Sequence, residues 1–350
     1  SRGGVRGTIS VNCAERDNCD ICDRSLFVTG ATGSFGTAFI EMALRNHTPR
    51  RLIIYSRCEV RQAEMATRLD RPDVLRFRLG DVRDRDRLAM AIERSCDGII
   101  HAAALKRIDA VAHDPEEAIK TNVLGTINVI RVAIDMGIPK VMFLSSDKSV
   151  NAQNFYGSTK FMAEQYAVAA NVYASSRNVR VSCTRWGNVI GSRGSVVQIF
   201  QNAREHGLPL PITDPACTRF WLTLEEAVVI LVKALRLMSG GEIFVPRLPS
   251  MRLIDLAEAV APGHPRCFVG LRPGGEKIHE VLINLEEIRR TVAVNDSLWA
   301  INPAIHPWRI DVPWSGQPAQ EGLSYTSDAN DWWLSVQDMQ KMLDLPSTTK

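Results

Sequence analysis

Apolar residues in this chain fall into short unbroken runs separated by longer stretches with helical spacing. Ser25-Leu26-Phe27-Val28-Thr29, Arg51-Leu52-Ile53-Ile54-Tyr55, Val74 to Leu79, Gly98-Ile99-Ile100, Val141-Met142-Phe143-Leu144 and Val179 to Arg185 read as strands. Runs without polar alternation suit strands covered on both faces, as in a parallel sheet. Between them, Thr37 to Leu44, Pro115 to Met136 and Ser158 to Ala170 read as helices. Strand alternating with helix through residue 145 predicts an α/β chain with a Rossmann-type, doubly wound parallel sheet. Beyond residue 195 the alternation breaks down. Helical segments 196–205 and 224–238 are then interleaved with Pro- and Gly-rich pieces, which predicts a smaller C-terminal α/β lobe with returns to the main domain.

These patterns divide the chain. Residues 1–24, polar and rich in Gly, Arg and Asp, read as a disordered leader. Residues 25–190 read as a nucleotide-binding domain, 191–335 as mostly a substrate lobe, and 336–350 as a tail; Tyr325 to Trp333 reads as a solvated amphipathic stretch. No internal repeat is present.

Composition narrows the partners. The chain has 350 residues, 45% hydrophobic and 23% charged, with net charge +3 and no basic block. Nucleic acid is therefore not expected as the main partner. No apolar run approaches the roughly 18 residues of a membrane span, and the first residues lack the apolar core of a signal peptide. Five of the eight cysteines, Cys58, Cys96, Cys183, Cys217 and Cys267, are scattered, which suits reduced thiols and a cytoplasmic protein. Cys13, Cys19 and Cys22 are spaced like half a zinc site, but no second pair follows, so no metal is expected.

The candidate chemistry gathers at strand ends. After the first strand comes Gly30-Ala31-Thr32-Gly33-Ser34-Phe35-Gly36 and then a helix, the setting of a dinucleotide fingerprint with G-x-x-G-x-x-G spacing. Its glycines let backbone N–H groups approach a pyrophosphate at the helix N-terminus. The second strand ends in Ser56-Arg57, with Arg61 following, where an acidic residue would hold the ribose of NAD. A hydroxyl and guanidinium groups suit a 2′-phosphate instead, so NADP is expected. Asp81, beside Val82, is placed to accept from an adenine amino group. Ala102 and Ala103 are small enough to lie against a cofactor, and Lys106 is placed to face a phosphate.

The fifth apolar run leads into Ser145-Ser146-Asp147-Lys148, and Tyr156 and Lys160 follow one helical turn apart. A phenol of pKa about 10 is a weak base at neutral pH, and a nearby ammonium lowers that value. Two proton-transfer systems are therefore expected, Tyr156 with Lys160 and Asp147 with Lys148. The polar loop Trp186 to Ser195 is too long for a simple turn and is expected to contact ligand. The loop Arg272-Pro273-Gly274-Gly275-Glu276-Lys277 suits a diphosphate or a sugar.

The glycine turn and Tyr156-x-x-x-Lys160 resemble those of extended short-chain dehydrogenase/reductases. A sharper likeness lies in Tyr55-Ser56-Arg57, His101-Ala102-Ala103-Ala104-Leu105-Lys106, Lys120-Thr121-Asn122, Ser146-Asp147-Lys148, Arg185-Trp186-Gly187-Asn188-Val189, Gly191 to Val197, Thr218-Arg219-Phe220-Trp221 and Gly241 to Pro246. These motifs, spread over residues 25–335, resemble the inverting UDP-N-acetylglucosamine 4,6-dehydratases of the pseudaminic acid pathway. Related retaining enzymes carry methionine at the position of Tyr156. The chain departs from the family pattern in the second glycine of Gly274-Gly275, in Cys58 where an acidic residue is usual, and in a longer leader.

The resemblance implies NADP-dependent removal of water from UDP-N-acetylglucosamine with inversion at C5. In the implied roles Tyr156 takes the 4-hydroxyl proton, Lys148 is the C5 base, Asp147 protonates the leaving 6-hydroxyl, and Lys160 supports Tyr156. The implied cofactor contacts are Gly30, Thr32, Gly33, Ser34, Phe35, Gly36, Ser56, Arg57, Arg61, Asp81, Val82, Ala102, Ala103, Lys106, Ser146, Tyr156 and Lys160. The implied substrate contacts are Lys106, Asn188, Arg193, Val196, Thr218, Arg272 and Glu276, with Arg193 and Arg272 suited to the diphosphate. A homo-oligomer, dimer or hexamer, is implied as well. A UDP-sugar 4-epimerase of the same fold and a non-catalytic NADP-binding protein are the alternatives.

Overall fold

The structure, a computed structural model, describes residues 21–304, 314 and 324–344. Among the described residues the main sheet has nine strands: β1 (Ser25–Thr29), β2 (Arg51–Ser56), β3 (Leu75–Leu79), β4 (Gly98–His101), β5 (Lys140–Leu144), β6 (Arg180–Thr184), β7 (Ile243–Pro246), β8 (Thr291–Asn295) and β9 (Leu298–Ile301). Their spatial order is β8-β9-β7-β6-β5-β4-β1-β2-β3. Strands β1 to β7 pair in parallel, and the β8–β9 hairpin extends the sheet antiparallel along β7. Their apolar runs are buried on both faces, as the unbroken patterns anticipate: Phe27, Ile53, Ile100, Val141 and Phe244 are all fully buried.

Five helices matter for the site: α1 (Ser34–Asn46), α2 (Glu59–Leu69), α3 (Gly125–Met136), α4 (Phe155–Ala169) and α5 (Leu224–Leu237). Helix α1 packs on α5, and α3 packs on α4. The chain winds outward from β1 through β2 to β3, then crosses back to β4 and winds the other way. The order therefore reverses between β1 and β4, and ligands of open α/β sheets bind at the carboxyl ends of strands at such a point. Thr29 and His101 end these two strands and are hydrogen-bonded through Oγ1 and Nδ1 at 2.7 Å.

The helix expected over Pro115 to Met136 is not continuous. Pro115–Ala118 is α-helical, Ile119–Leu124 is a π-helical turn, and α3 follows. The cause is Asn122, which is buried in that turn. Its Oδ1 accepts from the Leu105 backbone N–H at 2.8 Å, and its Nδ2 donates to the Leu105 carbonyl at 2.9 Å and Thr159 Oγ1 at 3.0 Å. A widened turn lets one side chain tie the β4 loop to α4, a common use of such bulges.

The smaller lobe has its own core. Asn188–Val189, Thr218–Leu222 and Ser250–Arg252 form a three-stranded sheet, and Leu210–Ile212 pairs with Arg266–Phe268. Helices Val196–Glu205, Leu253–Val260 and Val336–Met342 bury Phe200, Leu256 and Met339 around Trp221.

Two expected boundaries are corrected. The tail expected from residue 336 begins as a docked helix, because Ser335 and Asp338 form a capping box and Met339 is fully buried. The Tyr325 to Trp333 stretch is not simply solvated: Tyr325 stands between Phe220 and Trp299, with ring centroids 4.8 and 4.7 Å away, and its hydroxyl bonds the Leu248 backbone. At the other end, Ile21 is buried in the main core and the Arg24 carbonyl accepts from the Arg50 N–H at 3.0 Å, so order begins before residue 25. The rest of the expected leader, with Cys13 and Cys19, and the last six residues of the expected tail lie outside the described residues.

A buried ion triad ties α4 to the chain after the small lobe. Arg185, 1% exposed, donates to Glu164 at 3.0 and 2.6 Å and to Glu287 at 2.9 and 2.8 Å. Removing the guanidinium leaves two buried carboxylates without their ion-pair partner. Arg185→Ala is expected to cost about 3–5 kcal/mol of stability, read as a lower urea midpoint at unchanged slope.

Candidate active site

The last residues of β5 carry the chain into a 3-10 turn, Asp147–Ser149, that ends over the small lobe. Ser146 caps this turn, accepting from the Lys148 N–H at 3.3 Å and donating to Asp147 Oδ1 at 2.9 Å. Asp147 is fully buried, and its backbone N–H donates to the Trp186 carbonyl at 3.0 Å. The Lys148 side chain reaches three acceptors. Its Nζ lies 3.0 Å from Asp147 Oδ2, 2.8 Å from Asn188 Oδ1 and 3.2 Å from Glu280 Oε1.

Glu280 is 2% exposed and stands among cations. Besides Lys148, Lys277 Nζ lies 3.3 Å from Oε2 and Arg219 Nε lies 3.8 Å from Oε1. Burial alone would raise its pKa; Lys148, Arg219 and Lys277 outweigh that and bring it down to about 2. Asp147 goes the other way. Burial raises its pKa, Glu280 adds to the rise, and Lys148 and Lys277 only partly oppose it. Two carboxylates on one amine are thus driven apart in proton affinity, the pattern by which sites divide acid from base.

Tyr156 and Lys160 lie on α4, whose first turn is capped by Asn154 accepting from the Gly157 N–H at 2.8 Å. One expectation is corrected here. Burial raises the Tyr156 pKa, Asp147 raises it further, and the Ser146 hydroxyl only partly opposes this. Lys160 does not supply the expected lowering. Its Nζ donates to the Leu144 carbonyl at 2.5 Å and sits 4.0 Å from the centre of the Phe143 ring. Burial brings the Lys160 pKa down to about 8.

The glycine turn fits a dinucleotide. Gly30, at φ +65°, sits so close to the β4 loop that a Cβ there would fall 2.7 Å from the Ala103 N. Gly36 packs against Ala31 with no room for a side chain. Helix α1 has Gly33 as its N-cap and no side-chain cap, which leaves its first N–H groups and the positive end of the helix available to an anion. Thr32 is buried, and Phe35 packs on Trp186 at 5.4 Å between centroids.

At the end of β2, Ser56 is buried and Oγ accepts from Gln62 at 3.0 Å, while Arg57 and Arg61 are exposed. A cavity of about 260 Å³ opens there, lined by Thr32, Thr37, Arg61, Glu64, Arg68 and Arg193. Asp81 is held by Arg83 at 2.9 Å and Arg57 at 3.5 Å, and Val82 is buried against Gly125. Ala102 is half-buried beside the turn, and Lys106 is exposed at the rim. Desolvation and then the Arg193 charge lower the Lys106 pKa.

The expected substrate residues separate into three places. Asn188 is on Lys148, as above. Arg193 lies over the glycine turn, with its N–H donating to Ser34 Oγ at 3.0 Å and its guanidinium to the Thr32 carbonyl at 2.7 Å. It therefore stands with the nucleotide-side residues and not beside Arg272. Val196 packs into the small-lobe core, and Thr218 is buried between His279 at 2.9 Å and Ser327 at 2.6 Å.

The second glycine of the polar loop has a structural use. Gly274 and Gly275 have φ of +88° and +101°, and a Cβ on Gly275 would overlap the Gln153 carbonyl at 2.1 Å. The loop is thereby pressed onto the start of α4, and Asn154 Nδ2 donates to the Gly275 carbonyl at 3.1 Å. Glu276 then bridges Arg272 at 2.9 Å and Arg219 at 2.7 Å, and Lys277 donates to the Asp147 and Val150 carbonyls at 3.0 and 2.5 Å. Glu280 is missing from the expected site. Arg219 and Lys277 lie inside two of its motifs, Thr218 to Trp221 and Arg272 to Lys277, without a role of their own; nothing local marks Glu280, whose partners come from distant segments.

The comparisons with known proteins agree with this layout. The family described as polysaccharide biosynthesis protein matches residues 26–302. The chain is 40% identical to a UDP-N-acetylglucosamine 4,6-dehydratase (inverting) of Campylobacter jejuni, over 92% of this chain and 97% of that protein. It is 37% identical to a UDP-glucose 4-epimerase of Rickettsia rickettsii, over 78% of this chain and 82% of the other. The solved structure of Pen from Bacillus thuringiensis superposes with a TM-score of 0.83 at 29% identity, covering 92% of this chain and 98% of that one.

Glu280 sets an acid limit on stability. Its folded-state pKa, about 2, lies below the ordinary 4.5, so its contribution is complete above pH 4.5 and is lost as the pH falls toward 2. The stability gap between the parent and Glu280→Gln, measured by denaturant titration at stepped pH, is expected to be widest above that range and to narrow through it.

Proposed function

The chain belongs to the polysaccharide biosynthesis protein family and is a relative of the inverting UDP-N-acetylglucosamine 4,6-dehydratases, and from that premise we propose that it removes water from UDP-N-acetylglucosamine with inversion at C5. One observation carries the reading. An amine at the tip of β5 is shared by two buried carboxyls beside the buried Tyr156 phenol: Asp147, whose proton affinity burial raises, and Glu280, whose proton affinity Lys148, Arg219 and Lys277 lower. A 4-epimerase needs only the phenol and its neighbours. Elimination across C5 and C6 also needs a base for one proton and an acid for a leaving hydroxyl.

In this reading NADP lies along the glycine turn, with Ser56, Arg57 and Arg61 toward its 2′-phosphate and Gly30, Ala102 and Ala103 against its body. When bound there it supplies a two-electron acceptor at C4, the same electrons back at C6, and a positive ring charge. Tyr156 acts as the phenolate and takes the 4-hydroxyl proton; burial and Asp147 oppose that form, and the positive ring charge the cofactor would supply favours it. The 4-ketone then makes the C5 proton acidic. Lys148 Nζ takes that proton as the C6–O bond breaks, and Asp147 gives its proton to the departing hydroxyl, so that water leaves. Inversion requires the C5 proton to return on the opposite face from its departure, so two groups must serve C5. We assign Lys148 and Tyr156 to those two faces. Lys160 is engaged by the Leu144 carbonyl. Arg272, Glu276 and Asn188 line the sugar side of the cleft, and Lys106 and Arg193 its phosphate side. The domain reading goes with this: the parallel sheet holds the nucleotide, and the small lobe holds the sugar.

The product, a 6-deoxy-4-keto sugar, would feed pseudaminic acid synthesis. Cytoplasmic residence belongs to this reading too; the thiols of Cys58, Cys96, Cys183, Cys217 and Cys267 are free. A homo-oligomer completes it.

Incubated with UDP-N-acetylglucosamine and NADP+, the protein is expected to yield a product lighter by one water in the mass spectrum. A product of unchanged mass means epimerisation. In deuterium oxide, Lys148→Ala is expected to keep cofactor and sugar binding but to lose isotope uptake at C5; uptake at near-parental rate refutes the assigned base. The double change Arg57→Ala, Arg61→Ala is expected to weaken NADP+ binding about tenfold or more and to leave NAD+ binding little altered, by titration calorimetry.

A further inference from the structure

Glu280 is a buried carboxylate that no expected role uses. It comes from the segment after the polar loop, and its backbone is fixed by reciprocal bonds with Ser327, the Ser327 N–H donating to its carbonyl at 2.8 Å and its own N–H to Ser327 Oγ at 2.9 Å. That anchoring aims the side chain at the tip of β5, where it meets the amine that Asp147 also holds. We propose that Glu280 is a positioning residue of the elimination: its fixed negative charge holds Lys148 in place and keeps Asp147 protonated, so that Asp147 can act as the acid.

The geometry is asymmetric in the required sense. Both carboxylates lie within 3.2 Å of the Lys148 Nζ. Behind Glu280 stand Arg219 on the small-lobe sheet and Lys277 on the polar loop, and Glu276 holds Arg219 from the far side. Asp147 has around it Lys148, the Lys277 ammonium on its backbone carbonyl, the Ser146 hydroxyl and the Tyr156 phenol. Arg219 and Lys277 are paired to the Glu280 carboxylate, so Glu280 ionises first; burial, and then the Glu280 charge, favour the proton on Asp147. Burial strengthens the coupling, because both groups are shielded from water. No bond is made or broken by Glu280. It acts through Asp147, which loses its proton to the leaving hydroxyl and must regain one each turnover.

This inference rests on the dehydratase reading for its catalytic meaning, but its physical content can be measured without turnover. The carboxylic C=O infrared band that disappears in Asp147→Asn reports the protonated Asp147. In Glu280→Gln the pH midpoint of that band is expected to fall by about one unit or more, and in Glu280→Asp, which keeps the charge, to stay near the parental value. A midpoint unmoved in Glu280→Gln, or no such band in the parent protein near neutral pH, overturns the proposal. The band is compared only at pH values where each variant is folded by circular dichroism, because Asp147 in unfolded chains titrates near the ordinary value of about 3.9 and would mimic the shift. With turnover, the alkaline limb of the dehydration rate is expected to move down in pH with the band. A parent protein that releases no water while its band shifts as described refutes the dehydratase reading and leaves the Asp147–Glu280 coupling standing.

Discussion

One lysine amine with more than one claim on it organises this molecule. Lys148 is carried to the tip of β5 by a buried strand, but what it meets there comes from elsewhere: Asp147 from its own turn, Asn188 from the small-lobe sheet and Glu280 from beyond the polar loop. Ionic groups so far from water are stable only if each is paired. Meeting that condition requires Arg219, Lys277 and Glu276 to be brought in behind them, and these residues couple the small lobe to the sheet. The site and the lobe junction are therefore one set of charges.

The sheet supplies the rigid side of this arrangement. Reversal of strand order between β1 and β4 opens a crevice at their carboxyl ends, and Gly30 fills it so closely that no side chain is possible. Asn122 fixes the β4 loop to α4, and Arg185 fixes α4 to the chain beyond the small lobe through two carboxylates. Tyr156 rides on that clamped helix. Its phenol is therefore placed by packing, and its proton affinity is governed first by burial and then by Asp147, with Lys160 engaged below by the Leu144 carbonyl.

The two sides of the cleft carry different chemistry. Arginines gather on the glycine-turn side, where Arg61, Arg68 and Arg193 line one cavity. The opposite side mixes carboxylates with lysine and arginine side chains. That contrast is what a ligand with a charged nucleotide end and a neutral ring would require, and it accounts for the sorting of Arg193 away from Arg272.

Much of the frame was legible in the amino-acid order. Strand runs, the glycine turn, the Ser146-Asp147-Lys148 tip and the Tyr156 to Lys160 spacing are local patterns, and local patterns follow from the period of buried positions and from turn chemistry. The π-helical turn at Asn122, the docking of Val336–Met342 and the fate of the doubled glycine were not legible, because each depends on a partner far along the chain. The same holds for proton affinity. The order of residues by itself determined which groups carry acid and base chemistry and where along the chain they stand. Only the tertiary structure decided that Glu280 joins them, that Lys160 engages the Leu144 carbonyl, and that burial raises the proton affinity of Asp147 while neighbouring cations lower that of Glu280, since desolvation and the charges of distant segments arise only when the lobes close on one another.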